Sequence, residues 1–381
     1  MPTPTPNGPS CQPGGRDASR RSTRYQLLDA ARGLASLAVV LFHRPRPEGF
    51  WHPLEAVVSR GEVGVQIFFV ISGYCIYASA DRLAAGSAPA RVFLSRRFWR
   101  IYACYWASLA LALLVSVWLT DAGYGLRDIV GNMFIVQPYL HARQPVVAYW
   151  TLVVEQQFYL VIGVVLLKPF RAWRHELMLV SALVGGLYTL RVLPSNAWTN
   201  GTVVAHWLEF SLGILIFLVL HRPRLRLPAA LMLVFVCACA FQGTYRTIAA
   251  GTFALGALVL FGSDTRIAAS RAYAPFHFLG MISYSLYLTH EVSFELVNRV
   301  FFGSSNPTLV SYLAGVTGAV ALASVFYVPF EKPFVGGKPP RFLMRRAATD
   351  DASRAPRSPD SQDAGGGHAS KGEATTPTRE R

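Results

Sequence analysis

Charge is scarce in this chain. Asp, Glu, Lys and Arg make up 15% of its 381 residues, where a soluble domain averages about a quarter. Acidic residues are scarcer still, 21 against 36 Lys and Arg, which leaves a net charge of +15. Cysteine is sparse and odd in number: Cys11, Cys75, Cys104, Cys237 and Cys239, the last four in or beside apolar runs. That distribution excludes a disulfide framework. Cys237-x-Cys239 has no His or Cys nearby to complete a ligand set, so it reads as helix filling and no metal is expected. No G-x-S-x-G elbow is present, which removes the usual serine nucleophile of hydrolases. What remains is 52% hydrophobic and 13% aromatic, with a mean hydropathy of +0.33. This composition points to an all-α, polytopic integral membrane protein with the lipid bilayer as its first partner. Such a basic balance invites nucleic acid, but the Lys and Arg residues sit in short segments between apolar runs. There they set topology, and no nucleic-acid partner is expected.

Residues 1–24 are rich in Pro, Gly, Ser, Thr and Arg and read as a disordered basic tail. The apolar stretch that follows is too long, and lacks a small-residue cleavage site, for a signal peptide. About ten transmembrane helices are expected, over 25–43, 64–80, 101–119, 149–167, 177–193, 203–220, 227–241, 245–261, 276–302 and 309–330. The apolar piece NMFIV within 120–148 reads as re-entrant or interfacial. Residues 25–335 form the membrane domain, and 336–381, rich in Ser, Asp, Gly, Pro and Thr, read as a disordered tail. Lys and Arg cluster at 91–100, 168–174, 222–226, 266–271 and 332–346, the even-numbered exits. The positive-inside rule then puts both termini in the cytoplasm. The Ala/Arg-rich character and lack of organelle signals suit a bacterial inner membrane.

Against that background the ionisable residues inside the apolar runs stand out, because each costs several kcal/mol at membrane depth and so marks a functional-site candidate. Leu27–His43 carries Asp29, Arg32 and His43. Arg32 and His43 are eleven positions apart, about 20° from whole helical turns, so they share one stripe roughly 16 Å apart along the axis. They cannot touch, yet both can face one internal polar cavity. Glu62 and Gln66, one turn apart near the start of the second span, are substrate-facing candidates. Ser72-Gly73 behind them suits close helix packing through small residues as well as substrate contact. Arg97 and Arg100, three apart in RRFWR, share a helix face and offer planar guanidinium groups to an anion, or serve as a topology anchor. Glu155 lies within the fourth span, followed by Gln156, Gln157 and Tyr159, and is a structural carboxylate or one that tunes an imidazole. His290 closes SYSLYLTH, where a lone His is more often structural than catalytic. Glu331 reads as a boundary charge or a local cap.

Taken in series, LDAARGLASLAVVLFH, GVQIFFVISGY, RRFWRIYACYW, YWTLVVEQQFYL, ISYSLYLTH and FEKPF resemble the acyltransferase-3 family of integral membrane O-acyltransferases. The resemblance covers about residues 25–335. The family's Arg–ten residues–His pattern maps onto Arg32 and His43, and its Arg-x-x-Arg pattern onto Arg97 and Arg100. Many members carry two acidic residues where this chain has Glu155-Gln156, so one carboxylate carries over. A fused extracytoplasmic hydrolase-like domain, found in some members, has no counterpart in the short polar tail. The resemblance implies transfer of an acyl group, often acetyl, from acyl-CoA to a hydroxyl. The acceptor would be a carbohydrate or glycolipid such as exopolysaccharide, O-antigen or a lipid-linked sugar.

Such a reaction needs a base for the hydroxyl proton and donors for the developing oxyanion. His43 is the base of choice, since imidazole is the side chain that is both neutral and basic near pH 7. Arg32 suits part of the CoA or its thioester carbonyl, with Glu155 as a third catalytic candidate and Arg97 and Arg100 at the CoA phosphates. Ser72, Tyr159 and His290 join Glu62 and Gln66 as acceptor-side candidates. The competing reading is a transporter or flippase of a glycan or small anion, with Arg32 and His43 in a relay. The matched, broken half-repeats such folds use are not evident in the sequence.

Overall fold

The computed structural model describes residues 15–47, 49–120, 123–194, 201–262, 273–303 and 308–335. These residues are helical with connecting turns, and no strand occurs among them. The longer helices are α1 (Gly15–His43), α3 (Val63–Leu83) and α4 (Pro89–Thr120). They are followed by α6 (Trp150–Val165), α8 (Arg174–Thr189), α9 (Trp207–His221), α10 (Arg226–Gln242) and α11 (Tyr245–Gly262). The chain closes with α13 (Ser283–Val297) and α14 (Leu309–Phe326). Short helices fill in between: α2 (His52–Val58), α5 (Leu126–Met133), α7 (Lys168–Arg171) and α12 (Ala274–Met281).

Among the described residues, six helical stretches are long and apolar enough to cross a bilayer: His52–Leu83, Pro89–Leu119, Val147–Val165, Val203–His221, Pro223–Gln242 and Leu309–Phe334. Of the other four expected spans, 245–261 falls on α11, whose apolar stretch Tyr245–Leu260 is shorter, and the remaining three have visible reasons for missing that mark. α8 has 16 residues, about 24 Å at 1.5 Å per residue, short of the roughly 30 Å of hydrocarbon. α1 dilutes its apolar run with Asp29, Arg32 and a basic beginning. The expected 276–302 span is broken at Ile282 into α12 and α13. α1 also starts ten residues before the expected Tyr25, so the backbone of 15–24, read as disordered tail, is helical. Extending an existing helix avoids the cost of a new nucleus. The 336–381 tail and the 266–271 basic segment lie outside the described residues.

The outward apolar face is the mark of a lipid-facing surface. Leu114, Trp118, Leu231, Val234 and Val325 are between 63% and 73% exposed, which water would penalise and lipid tails do not.

Without a hydrophobic drive between helices in lipid, close approach comes from small residues. The tightest contact is α3 on α9. A Cβ on Gly73 would overlap the Phe210 carbonyl, and one on Gly213 would overlap the Val70 carbonyl and sit 2.6 Å from Tyr74 N. The two helices run parallel, the Phe69 ring packing at a tilt on Phe210 at one level (4.8 Å between centroids) and Tyr77 meeting Phe217 edge to face further along (5.5 Å). Gly213→Ala is therefore expected to cost about 1–3 kcal/mol through forced separation of the backbones, read as a lower midpoint in thermal unfolding of the detergent-purified protein.

α1 is gripped the same way from two sides. Gly61 and Gly64 at the start of α3 press on the Ala38 and Ala35 carbonyls, and a Cβ on Gly33 would lie 2.6 Å from Gly280 N of α12. The helix that carries Arg32 and His43 is thus fixed in rotation by backbone contacts.

Two carboxylates act as caps across the fold. Glu331 accepts the Ser285 N–H (2.9 Å) and Oγ–H (2.6 Å) in the first turn of α13, where free amides and the helix dipole favour an anion. A π-turn over Tyr327–Glu331 presents it there. Glu291 accepts the Val147 and Ala148 N–H groups, both at 2.8 Å, at the entry to α6. Glu291→Ala is expected to cost about 1–2 kcal/mol, with Glu291→Gln recovering part of it through one retained bond. The thermal midpoints of the two variants check this. In the 120–148 link, Asp128 is held below the usual carboxylate range, first by the Arg143 backbone N–H at 2.8 Å. It anchors Arg143 and caps α5.

At the Asp81 end, one carboxylate gathers three cations or potential cations. Asp81 accepts Arg174 Nε and Nη2 (3.1 and 3.0 Å) and pairs with Arg222, and His175 Nε2 lies 3.4 Å away. Tyr77 hydroxyl meets His175 Nδ1 at 2.7 Å. α3, α8 and α9 are tied together here.

Candidate functional site

A pocket of about 660 Å³ lies among α1, α3, α4, α6 and α13, with Arg32, Ser72, Arg100, Thr151, Glu155, Tyr159, Tyr284 and Tyr287 in its walls. Five segments far apart in sequence therefore converge. Glu155 Oε1 accepts the Tyr159 hydroxyl at 2.6 Å and the Ser72 hydroxyl at 3.5 Å. Tyr287 hydroxyl is held by Thr151 Oγ1 (2.7 Å) and the Ala148 carbonyl (2.9 Å). Arg100 donates to the Val335 carbonyl at 2.8 Å, which orients it into the wall. Neither Arg32 nor Arg100 forms an ion pair among the described residues. The pocket thus holds two guanidinium groups, a hydrogen-bonded carboxylate and aromatic walls, a donor set suited to phosphate or an acyl carbonyl.

Arg97 sits elsewhere. Its guanidinium packs over the rings of Phe93 (5.5 Å) and Tyr159 (5.6 Å) and lines an adjoining pocket of about 720 Å³ with Gln156, Ile101 and Tyr102. Tyr159 and Ile101 border both pockets, so Arg97 and Arg100 flank Tyr159 instead of sharing one chamber. A three-residue separation on a helix leaves the two side chains about 60° apart, on one face but with room for the Tyr159 ring to separate the cavities they line.

His43 does not line the main pocket. Its ring lies 5.1 Å from that of His290, and His290 in turn is 6.1 Å from the Tyr287 ring in the pocket wall. Tyr287 and His290 are therefore the residues between pocket and His43. His43 Nδ1 faces the Val39 carbonyl at 3.0 Å. Glu62 is engaged by Arg246 (2.8 and 3.1 Å) and Tyr245, tying α3 to α11. Gln66 is buried, its Oε1 without a hydrogen-bond partner among the described residues, and is not in the pocket wall.

Sequence reading gave Arg44 no role. It is 2% exposed, donates to Asn298 Oδ1 (2.6 Å) and the Ser311 carbonyl (2.7 Å), and lies over the Phe294 ring. A backbone carbonyl and an amide on other helices leave no local signal for such burial. Tyr284, Tyr287 and Thr151 were visible inside quoted motifs, but nothing in their spacing marked them as wall residues.

The helical bundle thus gathers half-buried Arg32, Arg100, Glu155 and Ser72 and buried Tyr159 and Tyr287 around one pocket, with a His pair alongside. The chain belongs to the acyltransferase-3 family: the family's acyltransferase domain matches residues 25–328, and the protein is an acyltransferase. BcsY of Komagataeibacter xylinus, whose name describes a membrane-bound transacylase, is 28% identical over 81% of this chain and 82% of its own. The exopolysaccharide production protein ExoZ of Rhizobium meliloti is 25% identical over 83% of this chain and 99% of its own. The peptidoglycan O-acetyltransferase OatA of Listeria monocytogenes is 26% identical over 44% of this chain and 29% of its own. No solved structure matches the chain.

Proposed function

We propose that this protein moves an acetyl group from cytoplasmic acetyl-CoA to a hydroxyl of a surface carbohydrate, an exopolysaccharide or lipid-linked sugar. It would work in a bacterial inner membrane with about ten spans around the polar pocket and both termini in the cytoplasm. The observation that carries this is the convergence of Arg32 and Arg100, without ion-pair partners, with Glu155 in one pocket. Two half-buried guanidinium groups without an ion pair among the described residues attract an anion. CoA supplies phosphates and a long flexible arm, and Arg97 beside Tyr159 extends the cationic surface. The names of ExoZ and OatA support a carbohydrate acceptor.

In this reading His43 takes the proton of the attacking hydroxyl as its oxygen bonds to the acyl carbon, the carbon–sulfur bond breaks, and the thiolate leaves to be protonated as CoA. Arg32 faces the CoA moiety from the pocket, and Glu155 holds the Tyr159 hydroxyl. The test is purified protein in lipid nanodiscs with radiolabelled acetyl-CoA and oligosaccharide. Label on the saccharide is expected, and counterflow of saccharide without acetylation would instead identify a transporter.

A further inference from the structure

Both histidines of the pair, His43 at the end of α1 and His290 within α13, are oriented by a backbone carbonyl. His43 Nδ1 lies 3.0 Å from Val39 O, and His290 Nδ1 lies 2.8 Å from Tyr287 O. A carbonyl only accepts, so each Nδ1 carries the hydrogen, and each neutral ring is left with an Nε2 lone pair. His290 is completely buried and its Nε2 has no hydrogen-bond partner among the described residues. The nearest carboxylate oxygen, Glu291 Oε1, is 3.9 Å away. A ring nitrogen of His43, one of His290 and an oxygen of Glu291 all lie within 4.8 Å of one another.

Two lone pairs this close call for a cation or for two O–H donors, supplied by one water in the resting protein or by two hydroxyls of a bound acceptor. A cation is disfavoured here. Both Glu291 oxygens already accept backbone N–H groups at 2.8 Å. The buried Arg44 guanidinium also lies over Phe294, whose ring packs on His290. A single hydroxyl has one proton and fills one lone pair. Two neighbouring hydroxyls on one sugar ring offer two O–H donors next to each other. With hydrogen bonds of ~2.8 Å each, they can engage both nitrogens when the sugar, entering past half-buried His43, opens the packing that closes off His290 Nε2 in this structure.

We propose that His290 binds a second hydroxyl of the acceptor, adjacent to the one that is acylated, so that the site selects a vicinal diol and sets which hydroxyl reacts. The inference rests on the acyl-transfer reading with His43 as base. The attacked hydroxyl gives its proton to His43 Nε2 as the new C–O bond forms and the C–S bond breaks. The neighbouring hydroxyl keeps its proton and donates to His290 Nε2. A buried acceptor left without its donor is costly, so an acceptor lacking the second hydroxyl is rejected.

The experiment measures kcat/KM with acetyl-CoA and p-nitrophenyl β-D-glucopyranoside, then with its 2-, 3-, 4- and 6-deoxy analogues, after mass spectrometry has placed the acetyl group. Loss of the hydroxyl next to the acetylated one is expected to lower kcat/KM about tenfold to a hundredfold. Loss of a remote hydroxyl is expected to change it little. His290→Ala is expected to lower the rate with the parent sugar by a similar factor and add little with the adjacent-deoxy sugar. His290→Gln, whose amide oxygen can still accept, should recover part of the loss. The wild-type comparison needs no variant, so a poorly folding His290→Ala does not blunt it. Equal rates for parent and adjacent-deoxy sugars overturn the proposal while acyl transfer stands, as does one equivalent of bound metal in the purified protein. No acetylation of any sugar overturns the acyl-transfer reading itself.

Discussion

His43→Ala lowers acetyl transfer by about 10²–10⁴-fold, the range supplied by a positioned general base, while leaving protein yield and thermal midpoint close to wild type. The fold gives the reason for the second half of that expectation. His43 stands at the last residue of α1, where its Nδ1 hydrogen-bonds its own helix's Val39 carbonyl. The rotation of α1 is set elsewhere, by Gly33 against Gly280 and by Ala35 and Ala38 against Gly64 and Gly61. Removing the ring therefore deletes chemistry and leaves the helix in place. Arg32→Ala in the same assay should act differently, raising KM for acetyl-CoA because Arg32 lines the pocket and His43 does not. Full transfer by His43→Ala in nanodiscs would sink the assignment of the base.

The largest effect on stability is expected from Asp81→Asn, about 3 kcal/mol, seen as a thermal midpoint lower by about 5–10 °C. Asp81 is 9% exposed, and Arg174 and Arg222, at 22% and 35%, both pair with it. Neutralising the carboxylate leaves two guanidinium groups facing each other with His175 beside them, a like-charge cluster that water reaches only in part. Breaking a buried pair from one side is worse than never having had it, because the remaining charge keeps its desolvation cost. Arg222→Gln should cost under ~1 kcal/mol, since the more exposed partner is screened by solvent. If Asp81→Asn and Arg222→Gln melt together at the wild-type midpoint, the three helices are not held by this cluster.

The class of protein was legible from composition and patterning, because charge is scarce and the apolar residues gather in runs long enough to span a bilayer. The family was legible from six motifs in order, and Arg32 and Glu155 from the cost of burying a charge in an apolar helix. Other features hid for specific reasons. The break at Ile282 carries no proline, and depends on Glu331, 49 residues later, capping the start of α13. Glu62 looked like a mouth residue, and only the approach of α11 engages it with Arg246. Arg97 and Arg100 shared a face by arithmetic, yet the Tyr159 ring between them divides two pockets.

By itself the sequence determined that the chain is helical, membrane-embedded and an acyltransferase, since those follow from local patterning and short motifs. The tertiary structure decided what those residues meet: Arg32 with Arg100 and Glu155, His43 with His290, Arg44 with Asn298 and Ser311. These are contacts between helices far apart in sequence, set by backbone carbonyls that meet at glycines, and no periodicity along one helix encodes which neighbour fills the gap.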